Sequence, residues 1–363
     1  MGKKKILHVS FGAIGNGGVT SVILSITESL HLDYDFDCVT FSHINTRAHL
    51  FNQYGGIHYI KCYGQNGVKK VIEVLLRPFV MTYGIYKLCK SNKYDIIHCH
   101  NGYDMAFCLL GAKLANVPKR IAHSHNAISP QKTSFIKRVF NCLLGRLINN
   151  LSTDRVGCSA LACKALFEKN DSKVIFNSID LSAYPWKRIP HKGLNIVHVG
   201  RYSFQKNQSF IIDVIKCLCD KKIDLNAELI GFGEDEHILR KKVESLGLEN
   251  VISFVDGKKA NIHEAYANAD IMIFPSEYEG FGIVLIEAQA TGCYCFVSDV
   301  VPSDTNVGLM SQLSLKDSAE SWAEDIIRHI NDSSNVSFDD IEEKLRLFDN
   351  MEIKKKYISL YEE

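Results

Sequence analysis

Apolar positions along this chain fall into two alternating series. In the first, short runs at Lys5–Phe11, Phe36–Phe41, Ile57–Cys62, Asp95–His100, Arg120–His125, Arg155–Cys158 and Lys173–Phe176 read as strands, and helical spacing lies between most of them. Val22, Ile23, Ile26 and Leu30, for instance, fall on one face of a helix predicted over Val19–Leu30. In the second series the strands are Asn195–Gly200, Ala227–Ile230, Val251–Val255, Asp270–Phe274 and Cys293–Ser298, and from Ser318 onward only helices are predicted. Strand–helix alternation of this kind predicts parallel sheets with helices on both faces. Two series in 363 residues predict an α/β protein of two doubly wound domains. The basic, turn-rich stretch Tyr184–Gly193 reads as the linker. The expected domains are 1–188 and 189–336, with helices in 337–363.

The chain is organised around Pro275–Gly292. The buried-strand pattern Ile271-Met272-Ile273-Phe274 leads into Pro275-Ser276, then a loop with Gly280 and Gly282 around Phe281. A helix is predicted over Ile283–Thr291, apolar on nearly every side, with Gly292 at its C-terminal cap. Glu287 lies within that helix and Glu279 eight residues before it. A carboxylate is almost never buried without a partner. Helix-start amides beside two glycines favour an anion. The stretch therefore offers carboxylates to sugar hydroxyls and amides to a phosphate. A surface Glu followed by a snorkelling helix Glu gives the same spacing, but not the glycines and the strand.

Other candidates lie at predicted strand ends. Gly200-Arg201 and Lys206-Asn207 bring two cations to one sheet mouth, suiting a diphosphate. Two ordinary surface cations are the plain alternative. Gly17-Gly18 precedes a helix, and Gly231-Phe232-Gly233 ends a strand, where a close turn explains it equally well. His98/His100 and His123/His125 share a face within each strand. They have no evident carboxylate or thiolate to complete a metal site. Asp33, Asp35 and Asp37 form Asp-x-Asp pairs at the amino end of a strand, the wrong end for a ligand.

Glu279-Gly280-Phe281-Gly282 with Glu287-Ala288 resembles the Glu-x7-Glu signature of retaining GT-B glycosyltransferases, specifically glycosyltransferase family 4. The resemblance covers most of the chain and is strongest from Gly200 to Ser298. It implies two Rossmann-like domains facing one another across a cleft, with the last helices crossing back to the first domain. It implies that Arg201 and Lys206 hold the donor diphosphate, aided by Gly17 and Gly18. Glu279 then binds the transferred sugar and Glu287 the ribose, with Gly280, Phe281 and Gly282 lining the loop. His125-Asn126 stands where the family carries His-Asp; His125 and Glu279 are the implied catalytic pair, and Asn126 weakens any acid–base role at its position. His123–Asn126 and Val297–Pro302 look most like the capsular and exopolysaccharide branch. That implies a UDP-sugar donor, a polyprenyl-diphosphate-linked saccharide acceptor, and no metal or other cofactor. A soluble acceptor, or a non-catalytic nucleotide-sugar-binding protein, is the alternative.

Composition refines this little. The chain is 46% hydrophobic and 23% charged, in the soluble globular range. No apolar run approaches the roughly 18 residues of a membrane span. Twelve scattered cysteines without Cys-x-x-Cys, and no predicted signal peptide, point to a reducing cytoplasm and no structural zinc. Charge is more informative. Residues 1–190 carry 24 Lys+Arg and 11 Asp+Glu (24 − 11 = +13), and the rest carry 18 and 30 (18 − 30 = −12). The basic half predicts an anionic partner, read here as a membrane surface rather than nucleic acid. Residues 134–150 are basic and amphipathic, suiting either a peripheral membrane contact or a core helix.

Overall fold

The structure is a computed structural model. It describes the chain except residues 1, 16, 43–45, 63–67, 101, 127–133, 168–170, 187–190 and 333–335, with backbone alone for 68–75. The first half runs β1 (Lys5–Ser10), α1 (Gly18–Leu30), β2 (Asp35–Thr40), α2 (Ala48–Phe51), β3 (Gly55–Tyr59), α3 (Val68–Asn92), β4 (Ile96–His100), α4 (Met105–Leu114), β5 (Lys119–Ser124), α5 (Phe135–Leu151), β6 (Asp154–Gly157), α6 (Ala160–Leu166) and β7 (Lys173–Val174). The second runs β8 (Leu194–Val199), α7 (Gln208–Asp220), β9 (Leu225–Gly231), α8 (Glu236–Ser245), β10 (Ile252–Asp256), α9 (Ile262–Asn268), β11 (Ile271–Phe274), α10 (Ile283–Ala290), β12 (Tyr294–Ser298), β13 (Met310–Leu313), α11 (Ala319–Asn331), α12 (Phe338–Arg346) and α13 (Asn350–Glu362). Every predicted strand is present. Only β13, short and half polar, lacks an apolar run to announce it.

The residues divide into two compact units. One holds the chain up to residue 178 together with Met351–Glu363, and the other holds Ile179–Asn350. The division thus falls ahead of residue 188, and only the last helix, rather than all of 337–363, joins the first unit. The cause is local. Ile179 pairs with Asp349 in a parallel bridge, and the Phe348 ring lies 5.8 Å from Phe281. These contacts tie α12 and the segment after it to the second unit.

Unit one has a seven-stranded sheet in the order β3-β2-β1-β4-β5-β6-β7, and unit two a six-stranded sheet in the order β10-β9-β8-β11-β12-β13. All pairings are parallel. Each order reverses beside the first strand of its unit, and ligands of such sheets bind outside the carboxyl ends at that switch point. In unit one, Leu7, Val9, Ile97, Cys99 and Ala122 face a core shared with α3, α4 and α5. Alternation turns Ile6, Ile96 and Ile121 to the other face, against α1 and the Ile353, Tyr357, Leu360 and Tyr361 side of α13. In unit two, α7 and α11 cover one face, and α9 and α10 the other.

Candidate functional site

The unit-two site grows from the turn after β8. Glycine is required near it by close backbone approach: a Cβ on Gly231 would stand 2.0 Å from the Gly200 carbonyl oxygen, and one on Gly233 2.1 Å from that of Tyr202. This packing accounts for Gly231-Phe232-Gly233 without a ligand. Buried His198 on β8 sits 2.9 Å from the Ile273 carbonyl through Nδ1 and 3.1 Å from the Gln208 amide nitrogen through Nε2. The same amide donates to the Arg201 carbonyl at 2.8 Å, fixing the Gly200–Arg201 turn. Gln208 thus positions the loop, a role no sequence spacing disclosed.

Lys206 closes a 3-10 turn, and Asn207 caps α7 in the left-handed conformation (φ 51°). The Lys206 ammonium pairs with Glu279 and stands 4.3 Å from the Phe274 ring centroid. Both partners are largely buried. An ammonium has three donors, so one contact with Glu279 leaves capacity for an anion. Arg201 is different: its guanidinium is exposed and pairs with Glu234 at 2.9 Å. The two expected cations therefore share a strand mouth but not an environment.

Gly282 caps α10 at φ +84°, a left-handed conformation that favours glycine. The Gly280 amide donates to Glu279 at 3.2 Å, and Phe281 is buried. Within α10, Leu285, Ile286, Ala288, Gln289 and Ala290 are buried, and Gly292 follows at φ +89° as the expected cap. Gln289 anchors the helix, donating to the Thr305 carbonyl at 2.8 Å and accepting from the Val307 amide at 3.1 Å. Glu287 accepts from the Tyr266 hydroxyl at 3.1 Å, and Tyr184 also hydrogen-bonds it. Burial raises the Glu287 pKa, and the two phenols oppose that rise. Its partners are thus tyrosines, buried Tyr266 and half-buried Tyr184, the latter drawn from the stretch read as linker.

In unit one, Gly17 caps α1, and neither Gly17 nor Gly18 has a positive φ or anything within 4 Å of a notional Cβ. Backbone packing does not demand glycine there, so the room lies open beside the helix start. His125 follows β5 and is 8% exposed; Asn126 is exposed. His8 joins the four expected histidines on the sheet face toward α13. His8/His98/His100 and His100/His123/His125 each bring one nitrogen per ring within 4.8 Å of one another. These triplets hold no carboxylate, and the rings are hydrogen-bonded to each other, which suits neutral imidazoles better than a cation. Of the Asp-x-Asp residues, Asp37 is structural, accepting from the Tyr94 hydroxyl at 2.6 Å and the Gly56 amide at 2.8 Å, while Asp33 and Asp35 are exposed.

Helix α5 divides along its length. Leu144, Ile148 and Leu151 are core, whereas Phe135, Ile136, Val139, Phe140 and Leu143 are exposed among Lys137 and Arg138. No described helix is long and apolar enough to cross a membrane. A hollow of about 890 Å³ lined by Trp186, Leu194, Asp270, Tyr294 and His329 opens at the amino ends of the unit-two strands, remote from Lys206 and Glu279. All twelve cysteines are thiols.

Residues 185–345 match the family model for glycosyl transferases group 1. CapH of Staphylococcus aureus, a capsular polysaccharide biosynthesis glycosyltransferase, is 26% identical over 98% of this chain and 99% of its own. The Escherichia coli UDP-Gal:alpha-D-GlcNAc-diphosphoundecaprenol alpha-1,3-galactosyltransferase is 26% identical over 62% of this chain and 63% of its own. The structure of Anabaena HepE in complex with UDP and glucose superposes with a TM-score of 0.77 at 19% identity, covering 98% of this chain and 99% of that one. Residues 185–345 are therefore similar to a group 1 glycosyltransferase domain, and the chain has the GT-B glycosyltransferase fold.

Proposed function

We propose that this protein is a retaining, metal-independent family 4 glycosyltransferase that moves a sugar from a UDP-sugar to a polyprenyl-diphosphate-linked saccharide in surface polysaccharide synthesis. One observation carries the reading: beyond the carboxyl end of β11, Lys206 pairs with Glu279 just ahead of the glycine-capped start of α10, the helix that carries Glu287. Lys206, with Arg201 and the helix-start amides, serves the diphosphate. Glu287 serves the ribose, Glu279 the sugar hydroxyls. Gly17 and Gly18 offer further amides, and His125 a polar contact near the reacting carbon. The cations and amides supply the charge stabilisation that a metal provides elsewhere. The names of CapH and the E. coli galactosyltransferase, and the UDP in the HepE structure, support the donor and acceptor classes.

The exposed first half of α5 supports a peripheral seat on the anionic cytoplasmic membrane surface, where a lipid-linked acceptor resides. Its aromatic and aliphatic side chains enter the interface, and Lys137 and Arg138 meet headgroups. The test is a screen of UDP-, GDP- and ADP-sugars for thermal stabilisation and turnover, with EDTA in parallel. Stabilisation by UDP-sugars and EDTA-resistant transfer to a polyprenyl-diphosphate saccharide is the expected result. Turnover lost in EDTA and restored by Mn²⁺ overturns metal independence. Transfer to water-soluble acceptors alone overturns the lipid acceptor, and binding without turnover favours a non-catalytic nucleotide-sugar-binding protein.

A further inference from the structure

The histidine cluster of unit one is two separate hydrogen-bonded wires. In the first, His8 Nδ1 lies 2.9 Å from His100 Nε2, and His100 Nδ1 lies 3.0 Å from His125 Nε2. In the second, the Tyr361 hydroxyl lies 2.9 Å from His98 Nδ1, and His98 Nε2 lies 3.1 Å from His123 Nδ1. The contacts run diagonally across β1, β4 and β5, whose parallel register sets His8 beside His98 and His100 beside His123.

Each contact needs one hydrogen, and a neutral imidazole has one donor and one acceptor nitrogen. The first wire therefore has only two neutral arrangements: all three rings carry hydrogen on Nδ1, or all three carry it on Nε2. The free ends are His8 Nε2 and His125 Nδ1, both buried and without a protein partner. The Nε2–H arrangement leaves an orphan N–H at His8, which is wholly buried and stacked 5.4 Å from Phe36. The Nδ1–H arrangement leaves only a bare lone pair there and moves the N–H to His125, the ring nearest the strand end. Each arrangement thus has one N–H without a protein partner: wholly buried at His8 in one, and at the strand end, on the 8% exposed His125, in the other; an orphaned donor costs more the deeper it lies.

We infer that His8 and His100 are positioning residues that lock His125 in its Nδ1–H tautomer, making it a dedicated hydrogen-bond donor at the carboxyl end of β5. The group it serves is an acceptor oxygen, such as a phosphate, ring or hydroxyl oxygen of a donor sugar; that last step rests on the function proposed above. The wire ends blind at His8, so it fixes a tautomer rather than carrying a proton away. The free end of the second wire is His123 Nε2, also buried and without a protein partner: a Tyr361 phenol that donates to His98 Nδ1 leaves His98 and His123 as Nε2–H tautomers, and one that accepts leaves both as Nδ1–H.

Long-range ¹⁵N–¹H correlation spectra of the full, ¹⁵N-labelled chain test this directly. The expected result is Nδ1–H at His8, His100 and His125, and no change at His125 when UDP-glucose is added. Nε2–H at His125, with or without UDP-glucose, or rapid exchange between its tautomers overturns the lock. His100→Leu should release His125 to a tautomer mixture. A single Nδ1–H tautomer that persists at His125 in folded His100→Leu overturns the role of His100. The unmutated spectrum alone decides the lock if a variant fails to fold. Failure of the chain to bind any UDP-sugar sinks the proposed function and leaves that spectrum standing.

Discussion

Acidification should unfold unit one well before unit two. Five buried histidines crowd one face of the unit-one sheet, and burial lowers the pKa of every one of them: to about 3 for His8 and for His125, and well below 6.5 for His98, His100 and His123. Charging a ring inside either wire would also set two donors in one contact. A depressed histidine pKa means that the unfolded chain binds protons that the folded chain refuses. Stability is therefore intact above pH 6.5 and falls as pH drops from 6.5 toward 3. One unit below 6.5 costs about 1.4 kcal/mol per ring. At about pH 5.5 His8 and His125 alone cost about 3 kcal/mol, a large fraction of a domain's stability, and the other three rings add in the same direction. Unit two has a single buried histidine with a lowered pKa among its described residues, His198, at about 4. Thermal melts followed by circular dichroism between about pH 7.5 and 5.5 should show one transition falling steeply and the other scarcely moving. Two transitions that shift in parallel, or neither shifting, would refute the argument.

Further outcomes follow from the unit-two site. Lys206→Ala should weaken UDP binding by about 1.5–3 kcal/mol in calorimetry, the range for charge-assisted bonds. Exposed Arg201 should lose less on Arg201→Ala, and the reverse order would displace Lys206 from the diphosphate. Glu287→Gln should weaken bare UDP and mainly raise the donor KM, whereas Glu279→Gln should spare UDP and mainly lower kcat; equal loss of UDP in both would undo the division of roles. Replacing Phe135 and Ile136 by Ser should abolish flotation with anionic vesicles without changing the melting temperature, because both side chains are almost fully exposed. Flotation equal to the unmutated chain would remove α5 from the membrane contact.

Much of this was legible in the sequence because parallel strands buried on both faces announce themselves as apolar runs. The stretch from Ile271 to Gly292 folds as its pattern indicates, down to the glycine cap. What escaped was long-range pairing. No spacing links Lys206 to Glu279, Tyr184 to Glu287, or Gln289 to the Val307 amide, since these contacts join segments that only the sheet order brings together. His8 was hidden for a related reason: a single polar residue in an apolar run looks like an exception until its neighbours in β4 supply its partners. Helix α5 was ambiguous because its amphipathic spacing is the same where it packs and where it does not.

The return of α13 to unit one sets an order of events during synthesis. Ile353, Tyr357, Leu360 and Tyr361 complete the core around Ile6, Phe36, Ile96 and Ile121, and Lys4 grips Glu362 at 2.7 Å. These α13 residues are made after every element of unit two. The half of the protein made first therefore waits, one sheet face covered only in part by α1, while the half made second already has all its own pieces. Any truncation, fusion or stalled translation at the C-terminus strikes the N-terminal domain, and a chaperone that shields nascent apolar surface has its longest engagement there.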